Sequence, residues 1–286
     1  MVEETLQRLG YPPLVCAQLV RGVTEVPETH LPIQRLKDQI CRAGLGIPGD
    51  AFERGILISA ARETAPRIES LPVYESVKSL LHKEFQFYTD PVKNLDSSLT
   101  IGTYGFVRAC KTISLRRFPS GPMDWEISGF PRSWLLKVQR SSLPRVLGFL
   151  LFQTHGFAPM FFTHVARRPK NLFLVMEREV LRAYYRMARS LELQPIIKGI
   201  LSSSWLHDPA AVKRYPYLSW LSRPYLETNG LITTAGPAPA DSGFAEGNVG
   251  RQEQFAEGEP RFQIGVALWP RRAAIEWAYK HPELAG

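Results

Sequence analysis

The sequence predicts an α/β protein of the mixed α+β kind: a central mixed sheet with flanking helices, behind a helical N-terminal extension. Three observations carry this. Through residues 1–95 apolar residues fall at helical spacings, whereas from Leu99 the chain turns to segments rich in β-branched and aromatic residues. Between two such segments lies one long amphipathic stretch, Leu172 to Leu193. There Phe173, Met176, Val180, Tyr184, Met187 and Leu191 recur every three or four residues, a continuous apolar helix face. The expected division is a helical extension over 1–95 and a mixed α/β catalytic-type domain over 96–286, with a long loop at 236–260 that is a lid or a disordered insert.

Each element follows from local chemistry. In the extension, Leu6, Leu9, Leu14 and Leu19, then Ile33, Leu36 and Ile40, can share helix faces, and Pro12, Pro13, Pro27, Pro32 and the Gly44–Gly49 stretch cut the region into short helices. Val77, Leu80, Leu81 and Phe85 place a further helix over Val73–Phe87. Leu99–Val107 and Lys111–Phe118 read as strands, followed by a turn at Ser120-Gly121-Pro122. Pro144–Gln153 reads as a short apolar helix stopped by Gly156. Strands are expected at Ala158–Ala166, Ile196–Leu206, Leu231–Ala235 and Arg261–Trp269. Asp208-Pro209 has the form of a helix start, a helix or turn pair spans Tyr215–Leu221, and Pro270 opens a closing helix through Trp277.

Composition narrows the class. With 44% hydrophobic and 22% charged residues in 286, the chain can bury a sizeable core. Cys16, Cys41 and Cys110 are odd in number and widely spaced, which excludes a disulfide framework or a structural zinc site. No secretory signal is legible and the longest apolar run, Val146–Phe152, is too short to cross a bilayer, so a cytoplasmic protein without a membrane partner is expected. The net charge of +8 suits an anionic partner, either a small anion or a polyanion such as nucleic acid. The basic residues are spread along the chain, however, and no nucleic-acid fingerprint accompanies them. A P-loop, a dinucleotide fingerprint and a nucleophile elbow are also missing. Oligomeric state is not legible.

Several side chains are candidates for chemistry. Ser202-Ser203-Ser204-Trp205-Leu206-His207-Asp208 closes a strand, where α/β folds place ligands. His207 is a general base there if Asp208 fixes its tautomer, and Ser204 can position a nucleophile or an oxyanion. The bland alternative makes Asp208 a helix cap and His207 a surface residue. His164 shares a strand face with Phe162, opposite Phe161 and Thr163, and is either a core histidine or a second base. Asp124, Trp125 and Glu126 follow a turn and can form a substrate-facing edge. Trp205, Trp220 and Trp269 line a pocket or pack the core, and Cys110 is a weak candidate nucleophile. Arg167, Arg168, Lys170 and Asn171 stand just ahead of the long helix, whose first N–H groups and dipole favour an anion.

The order of elements over roughly residues 99–270 is similar to that of the GNAT acyltransferases. In that family a central strand runs into an anion-binding turn at a helix start, which cradles the pyrophosphate of coenzyme A. The resemblance implies acyl transfer from an acyl-CoA or other acyl thioester, bound at Arg167, Arg168, Lys170 and Asn171, to an amine of a small molecule, with His207 or His164 as base. Pro169 and Lys170 stand where the family carries small residues. Two other readings remain open. One is a metal-dependent oxygenase or hydrolase with ligands from His164, His207, Asp208 and either Glu177 or Glu179. The other is a basic module that binds nucleic acid or another polyanion.

Overall fold

The computed structural model of the chain describes residues 51–89, 103–165, 177–237 and 262–285, together with Asp38. The chain divides into two units, residues 1–71 with 75–119, and residues 72–74 with 120–286.

In the first unit, the described elements are α1 (Ala51–Thr64), α2 (Glu75–Thr89), α3 (Tyr104–Ile113) and the short strand β1 (Arg117–Pro119). The apolar stripe expected near Val73–Phe87 is the buried side of α2, with Val77, Leu81, Phe85 and Tyr88 all inside. Where strands were expected over Leu99–Val107 and Lys111–Phe118, the chain forms α3, and among the described residues of this stretch β structure is confined to Arg117–Pro119, with 99–102 lying outside them. The reason lies in spacing: Phe106, Ala109, Cys110 and Ile113 are buried together at intervals of three and four, a period that overrides their β propensity. The Thr103 side chain caps α3, its hydroxyl accepting the Phe106 N–H at 3.2 Å. Arg108 and Glu84 form an ion pair at 3.2 Å.

The second unit holds β2 (Met123–Ser128), α4 (Leu143–Phe152), β3 (Met160–Val165), α5 (Glu177–Glu192), β4 (Gly199–Ser204), α6 (Pro209–Arg214), α7 (Ser219–Glu227), β5 (Leu231–Pro237), β6 (Gln263–Pro270) and α8 (Arg271–Lys280). Its strands run in the order β2–β3–β4–β6–β5. β3 and β4 are parallel, and every other of these pairs is antiparallel. A parallel pair needs a long crossover, and α5 lies in the connection between them. This mixed sheet with flanking helices is the fold class expected from the sequence, whereas the strands that were to open the GNAT-like order at Leu99–Phe118 are replaced by α3. β2 was legible only as an edge after the turn, because its alternation (Met123, Trp125, Ile127) spans a single short run.

The sheet is covered on both faces. On one, Met160, Leu201, Leu231, Val266 and Leu268 pack with Val146, Phe149 and Leu150 of α4 and with Phe130. On the other, Trp269 is wholly buried and meets Tyr184 of α5, Tyr225 of α7 and Trp277 of α8 at centroid distances of 5.9, 5.0 and 5.3 Å. Such aromatic pairs add about 0.5–1.5 kcal/mol each beyond their area burial. α5 buries Val180, Tyr184, Met187 and Leu191 of the expected stripe, while Phe173 and Met176 lie outside the described residues. Gly156 adopts φ +93° after α4 and donates its N–H to the Leu150 carbonyl at 2.7 Å, the helix stop expected there. Among the described residues no helix is long and apolar enough to cross a membrane.

Candidate functional site

The pairing of β3 with β4 covers Phe161–Thr163 against Ile200–Ser202, yet the strands extend to Val165 and Ser204. His164 and Val165 on one side, and Ser203 and Ser204 on the other, therefore lie past the last paired residues. This is the carboxyl end of a parallel pair, where open sheets receive ligands. Strand alternation sets which side chains share a face. Asp124 lies opposite His164 and Glu126 opposite Phe162, while Phe162 is in register with Leu201. Asp124, Glu126, Phe162, His164 and Ser203 thus belong to one face.

There the His164 Nε2 meets the Glu126 Oε1 at 2.9 Å, with side-chain exposures of 24% and 18%. A carboxylate on Nε2 favours the tautomer that donates from that nitrogen and makes Nδ1 the basic one. The Phe162 ring lies edge-on to the imidazole at 4.8 Å, and Trp134 continues the aromatic run from Phe162 at 6.1 Å. Asp124, directly across from His164, is buried. An anchored, partly exposed imidazole beside two carboxylate-bearing positions can accept a proton from a bound nucleophile.

His207 lies on the opposite face. It is buried, its Nε2 bonded with the Ser202 Oγ at 2.8 Å and its Nδ1 with the Ser222 Oγ at 3.1 Å. Burial pushes its pKa down to about 4, so the ring is neutral at physiological pH. Asp208 does not face it: its carboxylate accepts the Ala210 N–H at 2.9 Å, capping α6, and the Gln263 N–H at 2.6 Å. Ser204 accepts the Leu206 N–H at 3.2 Å and caps the single turn Trp205–His207. The cluster that looked densest in sequence is therefore divided among structural tasks. Gly265 of β6 makes room for it, since a Cβ there would overlap the His207 carbonyl.

The ligand set of the metal reading is not brought together. His164 and His207 sit on opposite faces, Glu177 pairs with Arg223 at 2.5 Å, and Glu179 pairs with Arg182 at 2.7 Å. Among the described residues no group of three His, Cys, Asp or Glu side chains could hold a metal ion. Cys110 is buried in α3 with its thiol pushed up to about 12 by desolvation, which makes it inert as a nucleophile. Trp205, Trp220 and Trp269 are buried. Arg167, Arg168, Lys170 and Asn171 lie outside the described residues. Two partnerships escaped the sequence. Glu126 with His164 required β2 to be seen as a strand, and Ser222 with His207 joins residues fifteen apart through tertiary packing.

No protein-family model matches the chain, and no curated protein matches it in sequence. Among solved structures it is similar to a crystal structure of acyltransferase in complex with decanoyl-CoA and teicoplanin, at TM-score 0.44 and 10% identity, over 77% of this chain and 66% of that one. A second is a crystal structure of acyltransferase in complex with decanoyl-CoA, at TM-score 0.40 and 10% identity, over 76% of this chain and 65% of the other. The chain thus spans just under two thirds of these proteins' length.

Proposed function

We propose that this chain transfers an acyl group from an acyl-CoA or related thioester to an amine of a small molecule, at the parting of β3 and β4. The observation that carries the reading is the anchored His164–Glu126 pair standing past the last paired residues of the two parallel strands. Along the β3-facing edge of β4, beyond Ser202, an extended donor with amide groups can add as a strand would, and the pantetheine arm of coenzyme A has that chemistry. In the reaction, the acceptor amine attacks the thioester carbonyl carbon, the C–S bond breaks, and the proton from the amine nitrogen passes through His164 to the departing thiolate. Strand N–H groups facing the carbonyl oxygen would stabilise the charge that develops on it. The basic residues Arg167, Arg168 and Lys170, with Asn171, follow β3 closely in sequence, which suits the donor's phosphates.

The test is thiol release from acetyl-, octanoyl- and decanoyl-CoA in the presence of a panel of amines. His164→Gln should lower turnover by about 10²–10⁴-fold with melting unchanged, the range for loss of a general base. Turnover equal to wild type in that variant removes His164 from the mechanism. No thiol release with any donor overturns acyl transfer itself.

A further inference from the structure

A surface helix turns an apolar side to the core and a polar side to solvent, and α4 departs from that pattern. Val146, Phe149 and Leu150 turn inward, but the outer side is also apolar: Pro144, Leu147, Leu151 and Phe152 are exposed, Phe152 to 78% and Leu151 to 61%. The turn Arg132–Leu136 packs its Trp134 and Leu135 on the same core that receives Phe149 and Leu150 of α4. From that turn Leu136 projects, 90% exposed, and beyond α4 Phe157 is 43% exposed. Large exposed apolar side chains gathered in this way mark an interaction surface.

The charge carried by this stretch of the chain is of one sign. From Ile127 through Met176 the chain carries neither Asp nor Glu, while Arg132, Lys137, Arg140 and Arg145 are all exposed in this region. The Arg132 guanidinium lies 5.3 Å from the centre of the Phe157 ring, which ties the basic and apolar parts together. A two-fold contact between copies of this face would set these cations against one another. An anionic lipid surface satisfies both components, with apolar side chains entering the interfacial layer and arginines meeting headgroup phosphates.

We infer that the face formed by α4, the Arg132–Leu136 turn and Phe157 docks the protein peripherally on anionic membranes. This stands apart from the acyl-transfer reading, because it uses none of the residues at the β3–β4 parting. The test is co-sedimentation of the full chain with vesicles of phosphatidylcholine alone and with vesicles containing phosphatidylglycerol. Binding is expected on the anionic vesicles and should weaken with salt. Replacing Arg132, Arg140 and Arg145 together by alanine should weaken it about a hundredfold, at about fivefold per cation. Leu151→Glu with Phe152→Glu should abolish it while leaving circular dichroism and melting intact, since both side chains are exposed. Absence of binding to anionic vesicles overturns the inference, as does equal binding to neutral ones. Self-association that is lost in the Leu151/Phe152 variant, without vesicle binding, assigns the face to a second copy and overturns it as well.

Discussion

His207 makes the stability of the second unit depend on pH in a way that can be worked out from its surroundings. Its ring is buried, holds two serine hydroxyls, and has a pKa lowered from 6.5 to about 4 by desolvation. The folded protein keeps the ring neutral down to that value, whereas the unfolded chain takes up a proton below about 6.5. Unfolding therefore binds a proton in the window between the two, and stability falls as pH drops from 6.5 towards 4. At 1.36 kcal/mol per unit of pKa difference, the loss from this one group is about 2 kcal/mol at pH 5 and approaches about 3 kcal/mol at pH 4. For a unit of this size the loss at pH 5 corresponds to about 4–8 °C in melting temperature. The assay is thermal or urea unfolding of wild type and His207→Gln from about pH 7.5 down to about pH 3.5, values chosen to bracket the window. The variant starts lower at neutral pH, having disturbed a hydrogen-bonded pair of serines, but its stability should fall less steeply on acidification. Parallel pH profiles for the two proteins would show that His207 is not held neutral in the fold, and the reasoning fails.

Other outcomes follow from the same geometry. Glu126→Gln should lower turnover less than His164→Gln and shift the acidic limb of the pH–rate profile, because it weakens the anchor of the base without removing it; an unchanged profile would deny Glu126 that role. Asp208→Ala loses a helix cap and the partner of the Gln263 amide and should cost about 1–3 kcal/mol in urea unfolding, with turnover per folded molecule preserved. Gly265→Ala drives a Cβ into the His207 backbone and should cost about 3 kcal/mol, the upper end of the overpacking range; a melting temperature equal to wild type would contradict the packing described. Arg167→Ala with Arg168→Ala should abolish the thermal stabilisation given by coenzyme A if these arginines receive its phosphates, and stabilisation that persists would place the donor elsewhere.

What the sequence made legible follows how local each signal is. The long helix, the Asp208-Pro209 start, the strand containing His164 and the closing helix after Pro270 each carry their pattern within one or two turns or a few alternating residues, and within the described residues each forms where expected. The failure at Tyr104–Ile113 has the same origin. Its residue types favour strands, but its three-and-four spacing of buried side chains decided the outcome. At the candidate site, adjacency in sequence misled: His207 and Asp208 are neighbours whose side chains serve different partners. Glu126 and His164 lie far apart in sequence and meet because β2 and β3 pair antiparallel. A contact of that kind depends on register, which no single segment encodes. The hydrogen bond between His207 and Ser222 of α7 depends on tertiary packing in the same way.

The claim that a thioester donor enters between β3 and β4 is tested most directly by amide hydrogen exchange with and without coenzyme A. Slowed exchange is expected in the segments spanning Phe161–Val165 and Leu201–Ser204, together with the basic segment that follows β3 in sequence. Binding accompanied by protection elsewhere, with those strand ends unaffected, would contradict the account.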